Sequence, residues 1–180
     1  MADNKDMTYE IILAEKARNG SREAFCELYG MYKEKLYRYA LYRLGSPDDA
    51  EDAVSECILA AWQGISSLRS TSAFGAWIFR ILHNRCMKQL RKTIDLRENL
   101  ERIYDDTAGS HTMPGSSDLS VSIELAEALS QLKEEEREIV LLSAAAGLTS
   151  SEIAGITGMT PGSVRSKLSR SLAKMREYLS

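Results

Sequence analysis

The 180-residue chain contains only two histidines, three cysteines and three prolines. Two histidines, His83 and His111, leave almost no material for a His-centred triad or a histidine metal cluster, so catalysis starts without its usual parts. Cys26, Cys57 and Cys86 are an odd number, at spacings that fit neither a disulfide framework nor a zinc knuckle, and they read as reduced core residues. No window approaches the roughly 18 uncharged apolar residues of a membrane helix. The polar, acidic Met1 to Asp6 lacks the basic and apolar segments of a secretion signal. The expected setting is the cytoplasm, with no membrane insertion. With 23 bases against 26 acids, the net charge of −3 excludes a uniformly basic coat, so local charge must decide.

Period-two alternation is also missing, whereas apolar residues recur at three- and four-residue spacing nearly everywhere, which predicts an all-α fold. The length suits one large domain or two small ones. Expected helices run over Glu10 to Arg18, then from Ala24 to a stop at Gly45. A third is started by Ser46-Pro47-Asp48-Asp49, with an apolar stripe of Ala50, Ala53, Val54, Cys57, Ile58, Ala61, Trp62 and Ile65. Gly64 to Thr71 reads as a polar loop, and Ala73 to Lys92 as a fourth helix that continues weakly. Asp105 to Ser120 carries glycine, serine, proline and three acids without a base, the composition of a flexible acidic linker. The expected domains are therefore 1–104 and 121–180, joined by 105–120. The second holds a helix through Leu129 and Leu132, then helices at Glu134 to Ala146, Ser150 to Thr157, and from Pro161.

Three charge stripes carry the chemistry. Asp48, Asp49, Glu51, Asp52 and Glu56 place five carboxylates in nine residues without a base. Matching of the helix dipole explains acids in the first turn but fades before Glu56, leaving a docking face for a basic partner as the competing reading. Next, Arg80, Arg85, Lys88, Arg91 and Lys92 fall within thirteen residues that contain no acid. At 100° per residue Arg80, Asn84, Lys88 and Arg91 form one ridge with Trp77 beside it, equipment for gripping phosphates and stacking on an unpaired base. The alternative places Trp77 in the core and leaves the rest as solvated surface. Finally, Ser150 to Pro161 reads as short helix, glycine turn and proline-started helix, a helix-turn-helix plan. Ser163, Ser166, Lys167, Arg170 and Lys174 face away from Val164, Leu168, Leu172, Met175 and Leu179 on its last helix. A hairpin used only for packing is the bland alternative, but five cations without an acid from Pro161 to Arg176 oppose it.

These residues together resemble the extracytoplasmic-function class of bacterial RNA polymerase sigma factors, from about Ala24 to Leu179. The resemblance rests on Asp49-Ala50-Glu51-Asp52-Ala53-Val54 and on Ala76-Trp77-Ile78-Phe79-Arg80-Ile81 leading to Asn84-Arg85-Cys86 in the first half. In the second half it rests on Arg137 to Leu142, Gly147-Leu148, Glu152-Ile153-Ala154 and Gly162 to Leu168. It implies that Asp48, Asp49, Glu51, Asp52 and Glu56 bind core RNA polymerase. By the same resemblance Ser67, Leu68, Arg69, Ser70, Trp77, Arg80, Asn84, Lys88 and Arg91 capture the minus-ten promoter element. Ser163, Arg165, Ser166, Lys167, Arg170 and Lys174 would read or grip the minus-thirty-five element. Promoter DNA and core polymerase are the implied partners, with an anti-sigma protein as a further one, no cofactor, and a monomeric free state.

Some positions depart from the family pattern: Ser55, Ile58 and Ala60 in the acidic helix, and Ser163, Lys167 and Ser171 in the last. A lysine cannot make the bidentate guanine contact of an arginine, so promoter preference does not transfer. A linker of about 16 residues reaches roughly 50 Å extended, enough with two domain widths to bridge sites on the order of 70 Å apart. A dimeric helix-turn-helix regulator of duplex operators is the competing reading, although the Trp77 to Asn84 ridge has no evident purpose in it. A nucleic-acid-processing enzyme lacks a metal or nucleophile constellation.

Overall fold

The computed structural model describes residues 2–101 and 123–180, and among them eight α-helices and no strand. The expected linker at 105–120 lies outside the described residues. Helix α1 (Ala2–Arg18) is longer than its apolar pattern suggested. Gly20, with φ of 97°, turns the chain into α2 (Arg22–Leu44), where the Ser21 hydroxyl caps the Ala24 amide at 3.2 Å. Gly45 ends α2 in the left-handed conformation that glycine adopts without Cβ cost. The Ser46 hydroxyl then accepts from the Asp49 amide at 3.3 Å and opens α3 (Pro47–Gly64) with proline in its first turn.

The expected loop at Gly64 to Thr71 is more ordered than a polar loop, because it holds two single-turn 3-10 helices, Ile65–Ser67 and Thr71–Ala73. Ile65 and Leu68 are buried and pin these turns to the core. Helix α4 (Phe74–Glu101) continues past Lys92 as its spacing hinted. Its buried face is Phe74, Ile78, Phe79, Leu82 and Cys86, with Ile81 partly buried beside them. The rings of Tyr32, Phe74, Phe79 and Tyr39 meet edge to face, with centroids 5.4 to 6.4 Å apart, and form the aromatic spine of this half. Cys57 and Cys86 are buried as expected, but Cys26 is exposed because it sits on the outer face of α2.

The second half contains α5 (Ile123–Ser130), α6 (Glu134–Ala144), α7 (Ser150–Thr157) and α8 (Pro161–Tyr178). Arg137 donates to the carbonyl oxygens of Leu129 and Leu132 at 3.0 and 3.3 Å, clamping the turn between α5 and α6. Thr149 and Glu152 form a reciprocal capping box at the start of α7, and Gly158 at φ 77° permits the turn into α8. The core side of α8 is Val164, Ser171 and Met175, with Leu168 partly buried. Leu172 and Leu179, expected there, are 42% and 48% exposed. Leu172 lies one position off the buried face and instead borders a groove of about 530 Å³ between α2 and the second half. The two halves touch, α6 against α2 and α7 against α4. No helix among the described residues is long and apolar enough to cross a membrane.

Candidate polymerase and nucleic-acid interfaces

The cap at Ser46 fixes the phase of α3 so that its apolar stripe faces α2 and α4 and its acids face outward. Asp48, Glu51 and Asp52 are exposed and make no hydrogen bond or ion pair among the described residues. The other two are partnered from α4. Gln89 donates to Asp49 at 2.8 Å, and Arg85 pairs with Glu56 at 3.5 Å. The bare acidic face is thus narrower than the sequence suggested. Trp62, expected in the core stripe, is 36% exposed at its edge and packs on Phe25 with centroids 5.2 Å apart.

Along α4, Arg80, Asn84, Lys88 and Arg91 are all exposed on one side, as the helical phase requires. Trp77 is partly buried, its ring 5.8 Å from that of Phe74 and against Gly64, so packing accounts for much of it. Before α4, the side chains of Ser67, Arg69 and Ser70 are exposed. Leu68 departs from expectation: it is buried, and its carbonyl oxygen accepts from Arg18 at 3.4 Å, so it anchors the loop instead of presenting a side chain.

In the helix-turn-helix, Ala154 is buried where α7 crosses α8, and its small side chain permits that approach. The Thr160 hydroxyl caps the Ser163 amide at 3.2 Å, setting the phase that leaves Arg165, Ser166 and Arg170 exposed. Lys167 is ion-paired to Glu135, and Lys174 donates to the Gln131 carbonyl at 2.6 Å. Both lysines therefore hold α8 against its neighbours as well as adding positive charge.

Sequence reasoning missed one cluster. Between the halves, Tyr39 and Arg43 of α2 and His83 of α4 meet Glu134 and Glu138 of α6. His83 pairs with Glu138, the Tyr39 hydroxyl lies 3.5 Å from the same carboxylate, and Arg43 reaches Glu134 at 3.2 Å. Burial alone would raise the Glu138 carboxyl, but the His83 hydrogen bond and charge, with Arg43 and Tyr39, hold it below the usual carboxylate range. The legible signal was phase: Arg43 follows Leu36, Tyr39 and Ala40, and Glu138 precedes Leu141 and Leu142. Each is a charge at a core position of an amphipathic helix.

Comparison with known proteins places both halves. Residues 28–93 match the Sigma-70 region 2 family and residues 122–175 match Sigma-70, region 4. The ECF RNA polymerase sigma factor EcfG of Rhodopseudomonas palustris is 31% identical over 144 residues, 80% of this chain and 78% of its own. The chain belongs to the extracytoplasmic-function sigma factors. The sigma factor SigM of Mycobacterium tuberculosis is 29% identical across 94% of this chain and 83% of its own length. Among solved structures, CnrH in complex with the cytosolic domain of CnrY superposes with a TM-score of 0.70 at 25% identity, over 95% of this chain and 97% of that one. RpoE of Bartonella quintana with the anti-sigma factor NepR gives 0.70 at 26% identity, over 86% and 96%. This sigma factor therefore acts in DNA-templated transcription initiation. The operator-binding alternative gives way, since the N-terminal half is sigma region 2 and no separate sensor domain.

Proposed function

We propose that this sigma factor divides its labour among the three charged faces. Asp48, Glu51 and Asp52, flanked by Asp49 and Glu56, dock on a basic surface of core polymerase. Ser67, Arg69 and Ser70, with Trp77, Arg80, Asn84, Lys88 and Arg91, capture opened minus-ten DNA, and Leu68 holds their loop in place. Ser163, Arg165, Ser166 and Arg170 contact the minus-thirty-five duplex, with Lys167 and Lys174 adding charge. The functional units are 1–104 and 121–180, bridged by 105–120. The carrying observation is that one chain presents an unpaired acidic helix face and two separate cationic helix faces. An operator-binding dimer needs only one of these. Catalysis belongs to the polymerase, and the protein works in the cytoplasm as a free monomer. The complex of RpoE with the anti-sigma factor NepR supports an anti-sigma partner here as well.

The test is transcription of fragmented genomic DNA by purified core polymerase, with and without the protein, sequencing new transcript starts. Starts that appear only with the protein and share a two-box upstream motif are the expected result. A duplex footprint without new initiation would reject the division of labour.

A further inference from the structure

We infer that Glu135 is a charge guard on the minus-thirty-five face: by pairing with Lys167 it withholds that ammonium from the DNA backbone and so limits sequence-independent binding. The inference deepens the minus-thirty-five reading and rests on it. Three successive acids open α6, and each is committed differently. Glu134 pairs with Arg43, and Glu136 accepts from the Lys133 amide at 3.1 Å to close the capping box. Glu135 alone of the three crosses to α8, where it pairs with Lys167, 32 residues on. Attraction to the N-terminal dipole favours an acid at each of these positions but does not aim one at α8.

Position on α8 decides what this pairing does. Arg165, Ser166 and Arg170 are exposed, Val164 and Ser171 are buried, and the Lys167 side chain, 26% exposed, stands on the boundary between them. Among the described residues Arg165 and Arg170 pair with no acid; Arg170 donates through Nε to the Ser166 carbonyl of its own helix at 3.2 Å and keeps its outer N–H groups for a ligand. An ammonium is a point charge that reads no pattern of bases, so a phosphate gripped by Lys167 would strengthen binding at every sequence alike. The Glu135 carboxylate cancels that charge, and if Lys167 left for a phosphate it would stand unpaired beside the DNA backbone. At this exposure the pair contributes little to stability, so its consequence lies in the field at the surface of α8. Discrimination is left to Arg165, Ser166 and Arg170, and the free protein is held less tightly on bulk DNA.

The test is the salt dependence with which the full-length protein binds a mixed-sequence DNA duplex of about 20 base pairs, followed by fluorescence anisotropy between roughly 50 and 200 mM salt. Each phosphate neutralised adds about 0.9 to the slope of log affinity against log salt. Glu135→Gln should steepen the slope by about 0.9 and bind more tightly at low salt, its advantage shrinking about 3.5-fold across that range. Glu135→Ser, too short to reach Lys167, should do the same. In the Glu135→Gln background, Lys167→Gln should return the slope to that of the wild type, whereas with Glu135 present the same substitution should flatten it less than half as much. Glu177→Gln removes an equal charge about 15 Å farther along α8, beyond a Debye length of about 10 Å, and should leave the slope unaltered. Retained helical circular dichroism checks folding. Equal flattening by Lys167→Gln in both backgrounds overturns the inference, as does an unchanged slope in both Glu135 variants. Failure of the minus-thirty-five reading shows separately, as undiminished duplex affinity in Arg170→Ala.

Discussion

Gly75, at the second position of α4, is where a single methyl group reports on how the N-terminal half is braced. A Cβ added there would lie 2.8 Å from the Tyr32 hydroxyl oxygen but 3.5 Å from the ring carbons Cε1 and Cζ. Only the hydroxyl is too close. That hydroxyl donates to Glu10 at 2.6 Å and ties α1 to α2, so Gly75→Ala drives it off its acceptor. A hydrogen bond to a charged group contributes about 1.5–3 kcal/mol. Replacing glycine by alanine in a helix returns at most about 1 kcal/mol, and less in the first turn. The expected net effect is a loss of about 1 kcal/mol. Tyr32→Phe removes the clashing atom, and the remaining 3.5 Å contacts are ordinary, so the sign reverses. Y32F/G75A should exceed Y32F in stability by a few tenths of a kcal/mol up to about 1. Urea unfolding of the four proteins, followed by far-ultraviolet circular dichroism, measures the cycle. Destabilisation by Gly75→Ala of equal size in both backgrounds would refute the reasoning. Because α1 also packs on the 3-10 turns and Arg18 holds the Leu68 carbonyl, G75A should weaken single-stranded DNA capture, and Y32F, which loses the same tie to Glu10, should weaken it likewise.

Burial pushes the Cys57 and Cys86 thiols up to about 12, so at pH 8 a thiol reagent should modify one cysteine, Cys26, in native protein and three in urea. Two fast-reacting thiols in the native state would contradict the packing. Asp48→Lys with Asp52→Lys should abolish co-purification with core polymerase while duplex DNA binding persists, and unaltered co-purification rejects the docking face. Glu138 gives a pH test. Its carboxyl sits below the usual range of about 4.3, so its ionised form favours the contact of α6 with His83 and Tyr39. That contribution is full above the ordinary value and is lost as pH falls through the lower one. Energy transfer between fluorophores on the exposed Cys26 and on Ser169→Cys should be higher with Glu138 than with Glu138→Gln at pH 6, with the gap closing toward pH 3. An unchanging gap over that interval would remove Glu138 from the contact between the halves, which also involves His83, Tyr39, Arg43 and Glu134.

Helix positions were legible because each start and stop has its own local chemistry. Ser46-Pro47, Thr149 with Glu152, Thr160-Pro161, Gly45 and Gly158 cap or turn the chain as their side chains dictate. The charged stripes were legible for a similar reason, since helical phase alone sorts Asp48 and Asp52, or Arg80 and Lys88, onto one face. What escaped depended on contacts between elements distant in the chain. Leu68 looked like part of a polar loop because its burial comes from the surrounding core and not from its polar neighbours. The outward turn of Leu172 and Leu179 depends on where α6 crosses α8, which favours Ser171 over its apolar neighbour. The partners of Arg43 and Glu138 lie 91 and 55 residues away, beyond the reach of any periodicity.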